Sequence, residues 1–183
     1  MINNVYYTIQ KVTESFSFKK PLPNNIIEYI KNKHSQNLSS SLFAWNLLNE
    51  YFNADLSKVN FLKSGKPTLD GVSFSISHSN GYVAIAFCYY PISLGIDIEK
   101  IDNRNLDFLT RFSSDLKISD NKTKYKFWTE HEATVKALNL NLLNDTSNLF
   151  KGFSNTVQTV DGEFLVSIYN ESNLPIKEIR FDN

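Results

Sequence analysis

Gly95-Ile-Asp-Ile-Glu99 sets two carboxylates two residues apart in an otherwise apolar stretch. Strand side chains alternate between faces, so Asp97 and Glu99 project together while Ile96 and Ile98 turn into apolar packing. Two acids on one face repel each other, and a divalent cation relieves that repulsion. Oxygen donors with room left for water and phosphate suit Mg²⁺, and the same donors accept Mn²⁺. The plainer alternative is an exposed strand edge carrying two solvated acids. A second group lies on Phe127-Trp-Thr-Glu-His-Glu-Ala-Thr-Val-Lys136. Tyr125, Thr129, Glu132 and Lys136 recur at helical spacing and share a face, beside a more apolar line of Trp128, His131, Val135 and Leu138. Glu132 and Lys136 read either as a surface ion pair contributing about 0.3–0.5 kcal/mol, or as a third metal ligand and a phosphate contact. The third group is Gly65-Lys-Pro67 with Ser77-His-Ser79. Lys66 offers a point charge and His78 a ring donor flanked by hydroxyls, which together suit a phosphate; the alternative is an ordinary loop and hairpin.

Other chemistries lack their residues. His131-Glu132 does not open a zinc-protease motif, because Val135 stands where the second histidine belongs. One cysteine, Cys88, and three histidines (His34, His78, His131) are too few for a closed structural zinc site. No P-loop, G-x-G-x-x-G or G-x-S-x-G run occurs.

The elements that position these residues follow from periodicity and turn chemistry. Val5–Ile9 reads as a strand, Asn24–Lys31 as a short helix, and Ser35–Phe52 as a longer helix with Leu38, Leu42, Trp45, Leu48 and Phe52 on one stripe. Val59–Leu62 is a short strand before the Gly65-Lys-Pro67 turn. Ser73–Ser79 and Tyr82–Phe87 flank Asn80-Gly81, a type I′ hairpin signal. Leu94–Glu99 is a strand, Lys122–Leu138 the strongest helix, and Asp161-Gly162 introduces a final strand over Phe164–Tyr169. Each half thus offers a helix, a hairpin and further β structure, so the expected fold is α+β. Its halves, 1–92 and 93–183, form one compact unit with a cleft at the seam.

Composition narrows the function classes. Nineteen Lys and Arg balance nineteen Asp and Glu, leaving none of the positive surplus that a general nucleic-acid binder uses against phosphate. A single cysteine fits a reducing compartment. No apolar run is long enough to span a bilayer, and the opening residues lack a signal peptide's basic and apolar regions. The expectation is a cytoplasmic protein without membrane or nucleic-acid partners.

Gly65-Lys-Pro67, Ser75-Ile-Ser-His-Ser79, Gly95-Ile-Asp-Ile-Glu99 and Trp128–Lys136, in this order and spacing, resemble the motif series of the 4′-phosphopantetheinyl transferases. The match is to the surfactin-synthetase-activating type and spans about residues 60 to 141. The resemblance implies two similar α/β halves related by a pseudo-twofold axis, in a monomer. It also implies transfer of the 4′-phosphopantetheine arm of coenzyme A to a serine of an apo acyl, peptidyl or polyketide carrier protein, with release of adenosine 3′,5′-bisphosphate.

By the same resemblance Asp97, Glu99 and Glu132 match the Mg²⁺ ligands and Lys136 the lysine on the pyrophosphate. Lys66, Pro67, Ser77 and His78 match the coenzyme-binding positions, with His78 at the 3′-phosphate. Glu132 and Lys136 are the catalytic candidates, joined by Asp115, which follows Arg111-Phe-Ser-Ser in a shifted register. Three positions depart from the family. His131 replaces the usual Lys, Asn139-Leu-Asn141 replaces Gly-x-Gly, and no Arg lies in Ser35–Ser41, leaving Lys31 or Lys33 to substitute. These departures define the alternative, a catalytically degenerate coenzyme A- or carrier-binding paralogue.

Overall fold

Strands β4 (Ser73–Ser79) and β5 (Tyr82–Cys88) fold back on each other through Asn80 and Gly81, both with left-handed φ (45° and 78°), the geometry that the Asn-Gly dipeptide favours. The computed structural model describes residues 4–13, 18–32, 38–51, 55–112, 120–141 and 162–180, with the backbone of 154–157. The remaining strands and α-helices are β1 (Val5–Lys11), α1 (Asn24–Asn32), α2 (Leu38–Tyr51), β2 (Asn60–Phe61), β3 (Pro67–Thr68), β6 (Leu94–Lys100), α3 (Asn121–Leu138), β7 (Ser154–Val157), β8 (Phe164–Asn170) and β9 (Ile176–Glu178), with short 3-10 turns at Leu56–Lys58 and Asp107–Arg111. Asp161 and the termini expected for the Ser35–Phe52 helix lie outside the described residues.

The architecture is mixed α and β. One sheet has the order β4-β5-β1-β9, a second β6-β8-β7, and β2 and β3 form a small pair. All pairings are antiparallel except β1 with β9, where Val5 faces Ile176. The apolar run of β5 is explained by burial on both faces. Val83, Ile85 and Phe87 pack under α1 and α2, whereas Ala84, Ala86 and Cys88 meet Leu94, Ile96 and Ile98 of β6 and Phe164, Val166 and Ile168 of β8. The outer face of the second sheet is covered by α3, with Tyr125 and Trp128 packed against Leu165. The layers therefore run α1–α2, sheet, sheet, α3. Among the described residues no helix is long and apolar enough to cross a membrane.

One expected stripe is corrected. Leu38 and Leu42 of α2 are exposed, and the buried residues are Phe43, Ala44, Trp45, Leu47 and Leu48. Aromatic neighbours turn the helix: Trp45 meets Tyr29, Phe61 and Phe74 edge-on, and Phe43 meets Phe18.

The two sheets meet at their edges through side chains. Ser73, Ser75, Ser77 and Ser79 of β4 share one face, set toward β6. Ile92 N–H donates to Ser73 Oγ (2.8 Å), Ile96 N–H to Ser75 Oγ (3.1 Å) and Lys100 N–H to Ser79 Oγ (3.2 Å). Ser77 Oγ donates to Asp97 Oδ1 at 2.8 Å. Hydroxyls thus satisfy backbone donors that an uncovered strand edge would leave to other chains.

Candidate functional site

Asp97 and Glu99 reach their position because β6 presents them on the α3 side while Ile96 and Ile98 fill the core between the sheets. Gly95 makes the approach of α3 possible. A Cβ there would stand 2.0 Å from the carbonyl oxygen of Ala133 and 2.8 Å from the amide nitrogen of Ala137, both backbone atoms. Without a side chain the helix backbone lies directly on the strand, bringing Glu132 and Lys136 beside Asp97. At its start α3 is capped by Asp120, whose carboxylate accepts from Thr123 N–H at 2.7 Å. The helix ends at Asn139, which adopts the left-handed conformation (φ 54°, ψ 43°) and donates its N–H to Val135 O.

A cavity of about 500 Å³ opens between the α1–α2 pair and α3, with β4 and β6 as its floor. Lys66, Pro67, Ser77, His78, Asp97, Glu99, Glu132 and Lys136 all line it. Asp115 lies outside the described residues. Lys31 is exposed on α1 and is not among the lining residues, and Lys33 lies outside the described residues.

The side chains are tightly connected. Lys136 Nζ donates to Asp97 Oδ1 at 2.6 Å, Ser77 Oγ at 3.0 Å and Ile96 O at 3.4 Å. Its ion pair with a buried acid replaces the surface pair with Glu132 that helical spacing suggests. Asp97 is only 4% exposed, and its Oδ2 is buried without a hydrogen-bond partner. Ser79 Oγ donates to Glu99 Oε2 (3.2 Å), and Arg104 approaches the same oxygen at 3.6 Å. Lys66 Nζ donates to Ala137 O at the C-terminal end of α3 (2.7 Å), a position that suits a cation at a helix end. Ser64 Oγ donates to Asn139 Oδ1 (2.6 Å), and Tyr29 Oη to Gly65 O (2.9 Å). The Gly65 turn, with φ +84° at the glycine, is thereby tied to α1 on one side and α3 on the other.

Electrostatics follow from burial. The Glu132 carboxyl is pushed up to about 7, first by desolvation and then by the charges of Asp97 and Glu99, with Lys136 opposing. Glu99 is also raised, by burial and by Asp97, against Arg104 and the Ser79 hydrogen bond. Burial lowers Lys66, and Glu171 partly offsets it.

The donor chemistry fits a divalent cation: three carboxylates that repel one another, one of them with a buried oxygen lacking a partner. As positioned, no three His, Cys, Asp or Glu side chains among the described residues are drawn closely enough to enclose an ion. Lys136 already holds one oxygen of Asp97.

His131 does not line this cavity. It is fully buried, with ring centroids 4.7 Å from Phe112, 5.7 Å from Trp128 and 6.5 Å from Phe127. Tyr29 and Ser64 are structural partners that sequence reasoning did not single out, whereas Ser75, Ser79, Gly95 and Asn139 stood within the quoted motifs without a role of their own. The serines had a readable signal, hydroxyls at every second position of one strand, but nothing local names the strand they meet. No family model matches the chain, and no curated protein is significantly similar to it.

Proposed function

We propose that the chain is a Mg²⁺-dependent 4′-phosphopantetheinyl transferase of the two-half, monomeric type, acting on coenzyme A and an apo carrier protein. The observation that carries this reading is that motif residues from β3, β4, β6 and α3 line one cavity with both acidic and basic side chains. Three acids suit a cation, and Lys66, His78 and Lys136 suit phosphates. The two-half reading draws support from two sheets, each covered by helices on its outer face, whose edge strands β4 and β6 meet at the cavity floor.

Asp97, Glu99 and Glu132 would hold Mg²⁺ or Mn²⁺, which supplies charge neutralisation for a transferring phosphoryl group. The chain's own residues do the rest. Lys136 meets the diphosphate, while Lys66, Pro67, Ser77 and His78 hold the nucleoside end. Glu132, whose carboxyl is raised to about 7 by burial and by the neighbouring acids, gives up its proton on joining the cation. Attack of the serine oxygen on the β-phosphorus forms the new phosphodiester as the diphosphate P–O bond breaks; the hydroxyl proton passes to water and adenosine 3′,5′-bisphosphate leaves. His131, where the family has a lysine, packs its ring against Phe112 and Trp128 and stays out of the cavity lining, so this reading gives it no contact with substrate.

The test is mass spectrometry of apo acyl, peptidyl and polyketide carriers after incubation with the protein, coenzyme A and Mg²⁺. The expected product is a carrier heavier by one phosphopantetheine arm, lost in Asp97→Ala. Coenzyme A binding with no carrier modified would favour the degenerate paralogue instead.

A further inference from the structure

We propose that Lys136 is the built-in counter-cation of Asp97, and that a diphosphate must draw it away before a divalent ion binds tightly, so that cation and diphosphate bind with positive coupling. This rests on the functional reading above and adds an order of events to it. An ammonium has three N–H donors, and all three find acceptors here: Asp97 Oδ1 at 2.6 Å, Ser77 Oγ at 3.0 Å and Ile96 O at 3.4 Å. That is a seat, formed by one strand from each sheet. Asp97 is almost fully buried, so solvent screens little of the repulsion between this ammonium and a second cation on the same carboxylate.

Lys136 sits in the last turn of α3 and is partly exposed to the cavity, so its flexible stem can carry the charge from Asp97 to an incoming anion. A diphosphate offers denser negative charge than one carboxylate and competes for the ammonium. Once Lys136 leaves, Asp97 Oδ1 keeps only the hydrogen bond from Ser77 and, with Oδ2, Glu99 and Glu132, is open to the cation. The coupling is reciprocal: whatever the diphosphate adds to cation affinity, the cation adds to diphosphate affinity. Direct contact between cation and diphosphate also produces coupling, so the test must isolate the lysine.

Mn²⁺ is titrated into chelator-stripped full-length protein, with free Mn²⁺ read by electron paramagnetic resonance, for the unmodified chain, Lys136→Gln and Lys136→Met. The methionine variant retains the apolar stem and guards against misfolding of the glutamine one. Without coenzyme A both variants are expected to bind Mn²⁺ about tenfold more tightly than the unmodified chain. Coenzyme A is expected to raise Mn²⁺ affinity more in the unmodified chain than in either variant. Variants that bind Mn²⁺ no more tightly, or an equal coenzyme A effect in all three proteins, would overturn the proposal. The coenzyme-free titration requires no carrier modification: a protein that modifies carriers without this lock loses only the present inference, and one showing the lock but no transfer loses only the functional reading.

Discussion

Glu132 titrates about 7 because burial removes the water that would stabilise its charge and two neighbouring carboxylates oppose a third. The folded chain therefore holds this proton more tightly than the unfolded chain, whose glutamate titrates near 4.5. The stabilising contribution is complete below 4.5 and is lost as pH rises through about 7. In the presence of chelator, urea unfolding at pH 8 should show Glu132→Gln more stable than the unmodified chain by about 1–3 kcal/mol. At pH 4.5 the difference should be small, and equal differences at both pH values would remove the titration from Glu132. A cation must displace the same proton, so metal affinity should rise across this pH range. The paired acids of Gly95–Glu99 were legible because alternation fixes which side chains share a face. The engagement of Lys136 with Asp97 was not, since helical spacing shows Glu132 as its neighbour and is silent about β6.

At the scale of elements, α3 and β6 make the site together, and their contact depends on one missing side chain. Gly95→Ala would drive a methyl group into the backbone at Ala133 and Ala137, which cannot yield by rotating a side chain. The expected cost is about 3 kcal/mol, a fall in melting temperature of roughly 6–12 °C for a chain of this size. Transfer activity should drop further than stability, because the displaced helix carries Glu132 and Lys136 away from Asp97. A variant that melts and transfers normally would refute this packing. The helix and the Asn80-Gly81 hairpin were readable from period and turn chemistry. The burial of α2 was only partly so: Leu38 and Leu42 keep the helical period yet stay exposed, because aromatic contacts of Trp45 and Phe43 set its rotation. The end of α3 at Asn139 shows the same dependence on local chemistry, since Asn tolerates left-handed backbone better than other non-Gly residues.

For the whole molecule, the central layer is shared. Val5, Tyr7, Ala84, Ala86 and Cys88 on one side share a single buried cluster with the β6 and β8 residues on the other, with Ile92, Leu174 and Ile176 packed against it. The strand Ile176–Glu178 also returns to pair with β1, across the expected boundary at 92/93. A fragment of residues 1–92 should therefore show no cooperative thermal transition alone, and should gain one when mixed with residues 93–183. Cooperative unfolding of the first fragment by itself would contradict a shared core. Composition and periodicity foretold mixed α and β structure, but the serine seam between sheets depends on contacts about twenty residues apart and no local pattern encodes its partner.

The most direct test of the central claim is a crystal of the full chain grown with coenzyme A and Mn²⁺, read by the anomalous signal of the metal. The expected peak lies among the carboxylates of Asp97, Glu99 and Glu132 and touches the diphosphate, with the nucleoside end beside Lys66 and His78. Coenzyme A bound elsewhere on the molecule, or a metal peak remote from these three acids, would contradict the account.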